Sequence, residues 1–160
     1  MTVPSPTVSL TPSEQRISQL VVDGLTDQEI VSVTGLKLGT VKKTLTAVRW
    51  KLHCPQRSSR AVVVHRLLGS GLATIPAATR LAPQLSAEQL ALLQAEADHS
   101  VPRDIALAAH LAPADLNAAL DQLLADTGAQ NSTELVVLAY GWQLLPVTQG
   151  AHDVRSGARQ

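Results

Sequence analysis

The sequence predicts an all-α protein made of two tandem four-helix units, and three observations carry that prediction. Hydrophobic residues make up 45% of the 160-residue chain but aromatics only 2%, with no Phe, so any core is built from Leu, Val, Ile and Ala. Apolar residues recur at three- and four-residue spacing between capping signals, the pattern of amphipathic helices. Laying the chain over itself so that Leu10 meets Leu85 also brings Ile30 onto Ile105, Leu36 onto Leu111, Val41 onto Leu116 and Leu45 onto Leu120. A repeat of domain length means a tandem pair of similar folds.

Residues 1–9 mix Pro, Ser, Thr and Val and are expected to form a disordered arm. The first unit covers residues 10–72. Thr11 caps its first helix, Pro12 suits the first helical position and Glu14 completes a capping box. Ile17, Leu20 and Val21 face inward, and Gly24 ends the element. Thr26 and Glu29 form a second capping box at the head of a short helix, with Ile30 and Val33 inward, and Gly35 breaks it. A third helix over 38–52 places Val41, Leu45, Val48 and Leu52 inside, and a fourth runs from Ser58 or Ser59 to Leu68.

A linker over 73–84 leads to the second unit, 85–146, followed by a loose tail over 147–160. Ser86 pairs with Gln89 as a cap, Ser100 precedes Pro102, Pro113 opens the third helix of the repeat, and Asn131-Ser-Thr-Glu begins its fourth.

Helix, glycine turn and helix is the helix-turn-helix plan, whose second helix enters the DNA major groove. Thr40, Lys42, Lys43 and Thr44 fall outside the apolar stripe of helix 38–52, near its start, where such a helix meets base edges and phosphates. Lys37, Arg49 and Lys51 extend the basic surface and suit phosphate contacts. Residues 1–80 hold ten Lys/Arg against four Asp/Glu, a net of +6, while residues 81–160 hold three against nine, a net of −6. The first half therefore suits an anionic partner and the second a different task. At the repeat offset Thr40, Lys42, Lys43 and Thr44 become Asp115, Asn117, Ala118 and Ala119, and Lys51 becomes Asp126, a surface that phosphates repel.

Leu10-Thr-Pro-Ser-Glu, Gly24-Leu-Thr-Asp-Gln-Glu-Ile, Gly35-Leu, Thr40-Val-Lys, Arg49 with Lys51-Leu, and Ala61-Val stand in an order that resembles the LuxR-type (NarL/FixJ, GerE-like) DNA-binding domain over about 63 residues. The resemblance implies a four-helix domain whose third helix reads double-stranded DNA and whose fourth commonly makes a dimer contact. The chain departs from the family at Lys37, where a small polar cap is usual, at Thr44, where His is frequent, and at Gly39, which weakens the helix start. The second unit resembles a degenerate copy of the same domain.

Both fourth helices are apolar on more than one face, so Val62, Val63 and Leu67 with Val137, Leu138 and Trp142 are candidates for a homodimer contact or an intramolecular pseudo-dimer between the repeats. Trp50 and Trp142 are expected to pack against their own units. His53 beside Cys54, and His99 and His110, lack the spacing of metal ligands or of a catalytic set, so no metal, cofactor or enzymatic role is expected. The single cysteine excludes an internal disulfide framework, and no 18-residue apolar run or signal-peptide pattern is present, which points to a cytoplasmic protein with no membrane partner. The expected role is a sequence-specific transcriptional regulator whose acidic repeat serves dimerisation or partner binding. Its rival is a regulator that binds RNA polymerase or another regulatory protein, with the acidic repeat masking or replacing DNA binding.

Overall fold

The structure is a computed structural model that describes residues 10–55, 57–78 and 81–145. Among the described residues it contains eight α-helices, one 3-10 turn and no strand. The helices are α1 (Pro12–Val22), α2 (Asp27–Thr34), α3 (Leu38–Lys51), α4 (Arg60–Gly69), α5 (Ala87–Asp98), α6 (Pro102–Ala108), α7 (Leu116–Thr127) and α8 (Ser132–Gly141). No helix among them is long and apolar enough to cross a membrane.

Local chemistry sets the helix starts. The Thr11 hydroxyl accepts the Glu14 N–H at 3.2 Å while the Glu14 carboxylate accepts the Thr11 N–H at 2.9 Å. Thr26 with Glu29 and Ser86 with Gln89 repeat the arrangement on α2 and α5. Each box satisfies two backbone N–H groups that the helix cannot. α2 stops at Gly35, whose φ of 76° is the left-handed conformation that lets the chain turn, and its N–H donates to Val31 O at 2.8 Å. Thr34 bridges that turn: its hydroxyl donates to Ile30 O at 2.7 Å and accepts the Leu36 N–H at 3.2 Å.

The helices of the second half follow those of the first in order and, up to the fourth, in their starting positions. In the register that sets Leu10 on Leu85, the α1 start at Pro12 falls on the α5 start at Ala87, and the α2 start at Asp27 on the α6 start at Pro102. Leu38, which opens α3, falls on Pro113, which opens the 3-10 turn Pro113–Asp115 leading into α7. α8 breaks the register: it starts at Ser132, where the offset of Arg60 would put Leu135, because the connection before it is shorter. The fourth-helix exits keep that new register: Leu72 N–H donates to Leu67 O at 2.9 Å, and Leu144 N–H to Ala139 O at 2.7 Å. One expected cap is absent. Val101 heads α6 without a side-chain bond, and Ser100 instead accepts the Ser59 N–H at 2.8 Å, an interaction between the two halves.

Ile17, Val21, Ile30, Val41 and Val48 are buried in the first half, and Leu92, Leu93, Ile105, Leu116 and Leu123 in the second. These residues belong to one continuous core. α4 and α8 join them: the two helices pack on each other, α4 also meets α1 and α5, and α8 also meets α1, α5 and α7. Val62, Val63, Val64, Leu67 and Leu68 of α4 are all buried, as are Leu135, Val136, Ala139 and Tyr140 of α8. The segment after α4, expected as a free linker, is held to the body as far as it is described. The Gln19 side-chain amide donates to Thr74 O at 3.0 Å and accepts the Thr74 N–H at 2.7 Å. Ile75 packs against the core. Gly141 in α8 leaves room for the passage of Pro76–Ala78, where an added Cβ would lie 3.3 Å from the Ala78 Cβ and 3.4 Å from Pro76 O. The expected arm over 1–9 and the tail over 147–160 lie outside the described residues.

Candidate nucleic-acid interface

α3 lies on α1 and α2, with Val41, Leu45 and Val48 turned into the core. At 3.6 residues per turn this inner stripe fixes the rest of the helix surface. Gly39, Lys43, Thr46 and Trp50 fall opposite it and are exposed. Lys42 and Arg49 lie on one flank; Thr40, Thr44 and Lys51 lie on the other.

These residues divide by what they touch. Lys42 and Lys43 are exposed, as are Thr40 and Lys37. Lys37 occupies the N-cap without a side-chain cap, and its carbonyl accepts the Val41 N–H at 3.0 Å. The Thr44 hydroxyl donates to Thr40 O at 2.8 Å, and that of Thr46 to Lys42 O at 3.0 Å, so both commit their proton to their own helix.

Two sequence-predicted phosphate contacts differ in character from the others. Lys51 Nζ lies 2.6 Å from Glu14 Oε1, with side-chain exposures of 31% and 11%, and so ties the end of α3 to the start of α1. Burial opposes ionisation of Glu14, yet the hydrogen bonds and charge of Lys51 and the Thr11 N–H outweigh it and lower the carboxyl pKa below 4.5. Arg49 is half-buried, and its Nε is buried with no hydrogen-bond partner among the described residues. The outward basic set of α3 is thus Lys37, Lys42 and Lys43.

Trp50 is 74% exposed, contrary to the expectation that it packs on its own unit. The reason is register: it stands two helical turns beyond Lys43, on the side of α3 opposite Val41 and the core stripe. Counting the helical period from Val41 finds it; hydrophobicity alone does not. Val33, expected inward, is 54% exposed for a similar reason, since Ile30 alone fills the inner position of α2.

On α7 and the 3-10 turn that leads into it the equivalent positions are different. Asp115, Asn117 and Ala118 are exposed, as are Asp121, Ala125 and Asp126. Asp126 accepts from Gln89 at 2.7 Å and from Gln122 at 2.9 Å. Its face presents carboxylates and methyl groups where α3 presents ammonium groups.

Elsewhere, a cleft of about 810 Å³ opens between the halves, with Val21, Leu25, Val137 and Leu138 among its apolar lining. Its charged groups have internal partners. Arg60 donates to Asp27 at 3.0 Å and to Leu25 O at 3.1 Å, Glu134 accepts the Gln130 N–H at 2.7 Å, and Asp23 accepts from Gln19 at 3.2 Å. Cys54 is buried, and burial raises its thiol pKa despite nearby Arg66 and Arg49. Among the described residues no group of three or more His, Cys, Asp or Glu is placed to hold a metal ion. Of the fourth-helix candidates, Val62, Val63 and Leu67 are buried while Val137, Leu138 and Trp142 are half-buried.

No family model, curated protein or solved structure matches this chain.

Proposed function

We propose that the chain is a DNA-binding transcriptional regulator of two tandem helix-turn-helix units, a LuxR-like domain over 10–72 and a degenerate copy over 85–146. α2 and the Gly35 turn support α3, which enters the major groove, with Lys42, Lys43 and Thr40 toward the DNA and Lys37 at a phosphate. Lys51 and Arg49 act indirectly, Lys51 by fixing α3 against α1. The single observation that carries this reading is the contrast between matched surfaces. Where the repeat keeps the core it loses the cations, so Lys42 and Lys43 have a reason to be present beyond solubility.

The acidic half serves as a packing partner: α8 covers α4, and the pair forms an intramolecular pseudo-dimer. The chain acts without a metal or cofactor, is not an enzyme, and works in the cytoplasm.

The test is binding of the full chain to double-stranded DNA across a salt series. Replacing Lys42 and Lys43 by Ala is expected to weaken binding to every sequence and to reduce the slope of log affinity against log salt by up to about 2. An unchanged affinity and slope would sink the proposal.

Trp50 favours a second reading. Tryptophan is among the residue types most enriched at protein–protein hot spots, and this one is exposed. In that reading the same face of α3 binds RNA polymerase or another regulator. It takes precedence if the full chain binds no DNA even at low salt.

A further inference from the structure

Where the halves meet, side chains from three helices form one hydrogen-bonded chain. Tyr140 of α8 is 2% exposed and places its Oη 2.7 Å from Nδ1 of His65 on α4. His65 Nε2 lies 3.2 Å from Asp98 Oδ1 at the end of α5, with side-chain exposures of 18% and 43%. Gln94 donates to the other Asp98 oxygen at 3.0 Å. A second acceptor stands beside the phenol: the carbonyl oxygen of His65, 3.2 Å from Oη.

The arrangement fits neutral His65. Nε2–H donates to Asp98, and the Nδ1 lone pair accepts the phenol proton. Adding a proton to Nδ1 removes that lone pair. Nδ1–H then needs an acceptor, so the Tyr140 O–H must turn to the His65 carbonyl and offer its oxygen to the ring. The exchange keeps the 2.7 Å contact with its direction reversed, and its cost is the cation it places in a seam where the His65 side chain is 18% exposed.

We propose that His65, Asp98 and Tyr140 form a proton-operated latch between the two halves, closed when His65 is neutral and weakened when it is protonated. It acts where α4 packs on α8 and is independent of what α3 binds. Asp98 on α5, Tyr140 on α8 and Arg66 on α4 itself are the charged and titratable groups around the ring. Burial lowers the His65 pKa below 6.5, Asp98 opposes the change and Arg66 adds to it. Burial also raises Tyr140, to about 12, so the phenol keeps its proton throughout. A depressed histidine contributes its stability above 6.5 and loses it as pH falls through the folded-state value.

The experiment is an NMR titration of the histidine rings of the full chain, with amide exchange at about pH 7.5 and about pH 5.5. His65 is expected to titrate below 6.5. Acid is expected to reduce protection in α4 and α8 by up to about tenfold for each pH unit by which the His65 midpoint lies below 6.5. His65→Gln is expected to abolish this loss. A His65 midpoint at or above 6.5, or the full acid loss persisting in H65Q, overturns the latch. If H65Q does not fold, Asp98→Asn carries the test: removing the charge should move the His65 midpoint further down, and an unmoved midpoint overturns it.

Discussion

Glu14 and Glu96 are both buried carboxylates, and they are expected to respond to pH in opposite directions. Glu14 has its charge met by Lys51 and by the Thr11 N–H, so its folded-state pKa is lowered. Its contribution is therefore present above 4.5 and lost as pH falls. Glu14→Gln should lower the unfolding free energy measured in urea at neutral pH by about 1 kcal/mol, for a lost cap and ion pair, and should flatten the acid limb. Glu96 on α5 accepts from the Ser132 hydroxyl at 2.8 Å, and burial raises its pKa. Its charge opposes folding as pH rises, so Glu96→Gln should raise the urea midpoint at about pH 7.5, and the gain should vanish at about pH 3.5. A gain of equal size at both pH values would refute that assignment. The Glu14 cap was legible in the sequence, because Thr-x-x-Glu is a local pattern. Its bond to Lys51 was not, because that partner is distant in the chain and only packing of α1 on α3 brings it near.

α3 and the turn before it contain two glycines in open space that are expected to behave oppositely. Neither an added Cβ at Gly35 nor one at Gly39 meets an atom within 4 Å, so backbone conformation alone decides the outcome. Gly35 sits at φ +76°, and Gly35→Ala should destabilise the protein by about 1–2 kcal/mol. Gly39 is in the first turn of the helix with no left-handed strain, and Gly39→Ala should stabilise it by about 0.5–1 kcal/mol. Thermal melts of the two variants check this directly; shifts of the same sign would contradict it. The helix order and most helix starts were legible, since capping boxes and apolar spacing are short-range signals. Ser100 shows why some were not: a residue placed to head α6 accepts Ser59 N–H from the other half, and tertiary contact overrides local preference. Trp50 and Val33 show the other failure, in which hydrophobicity was read as burial without following the helical period.

For the whole molecule, the repeat in the sequence suggests two independent units, whereas the packing joins them. Leu68 is fully buried on α4, in the helix that touches α1 of the first half and both α5 and α8 of the second. The Thr74 backbone is clamped to Gln19, and Ser59 is bound to Ser100, so polar contacts reinforce the same arrangement. With one core shared across the repeat boundary, removing side-chain volume from α4 acts on both halves. Leu68→Ala should cost about 2–5 kcal/mol. Amide exchange resolves where that loss is felt: the slowest amides of α1 and α3 and those of α5 and α7 should lose protection together and by similar factors, as expected of a single cooperative transition. If only the first half were affected, or if urea produced two separate transitions, the halves would be folding separately and α4 would belong to one of them alone. Joint loss would mean that the acidic half stabilises the helix carrying Lys42 and Lys43 without contacting any ligand of that helix.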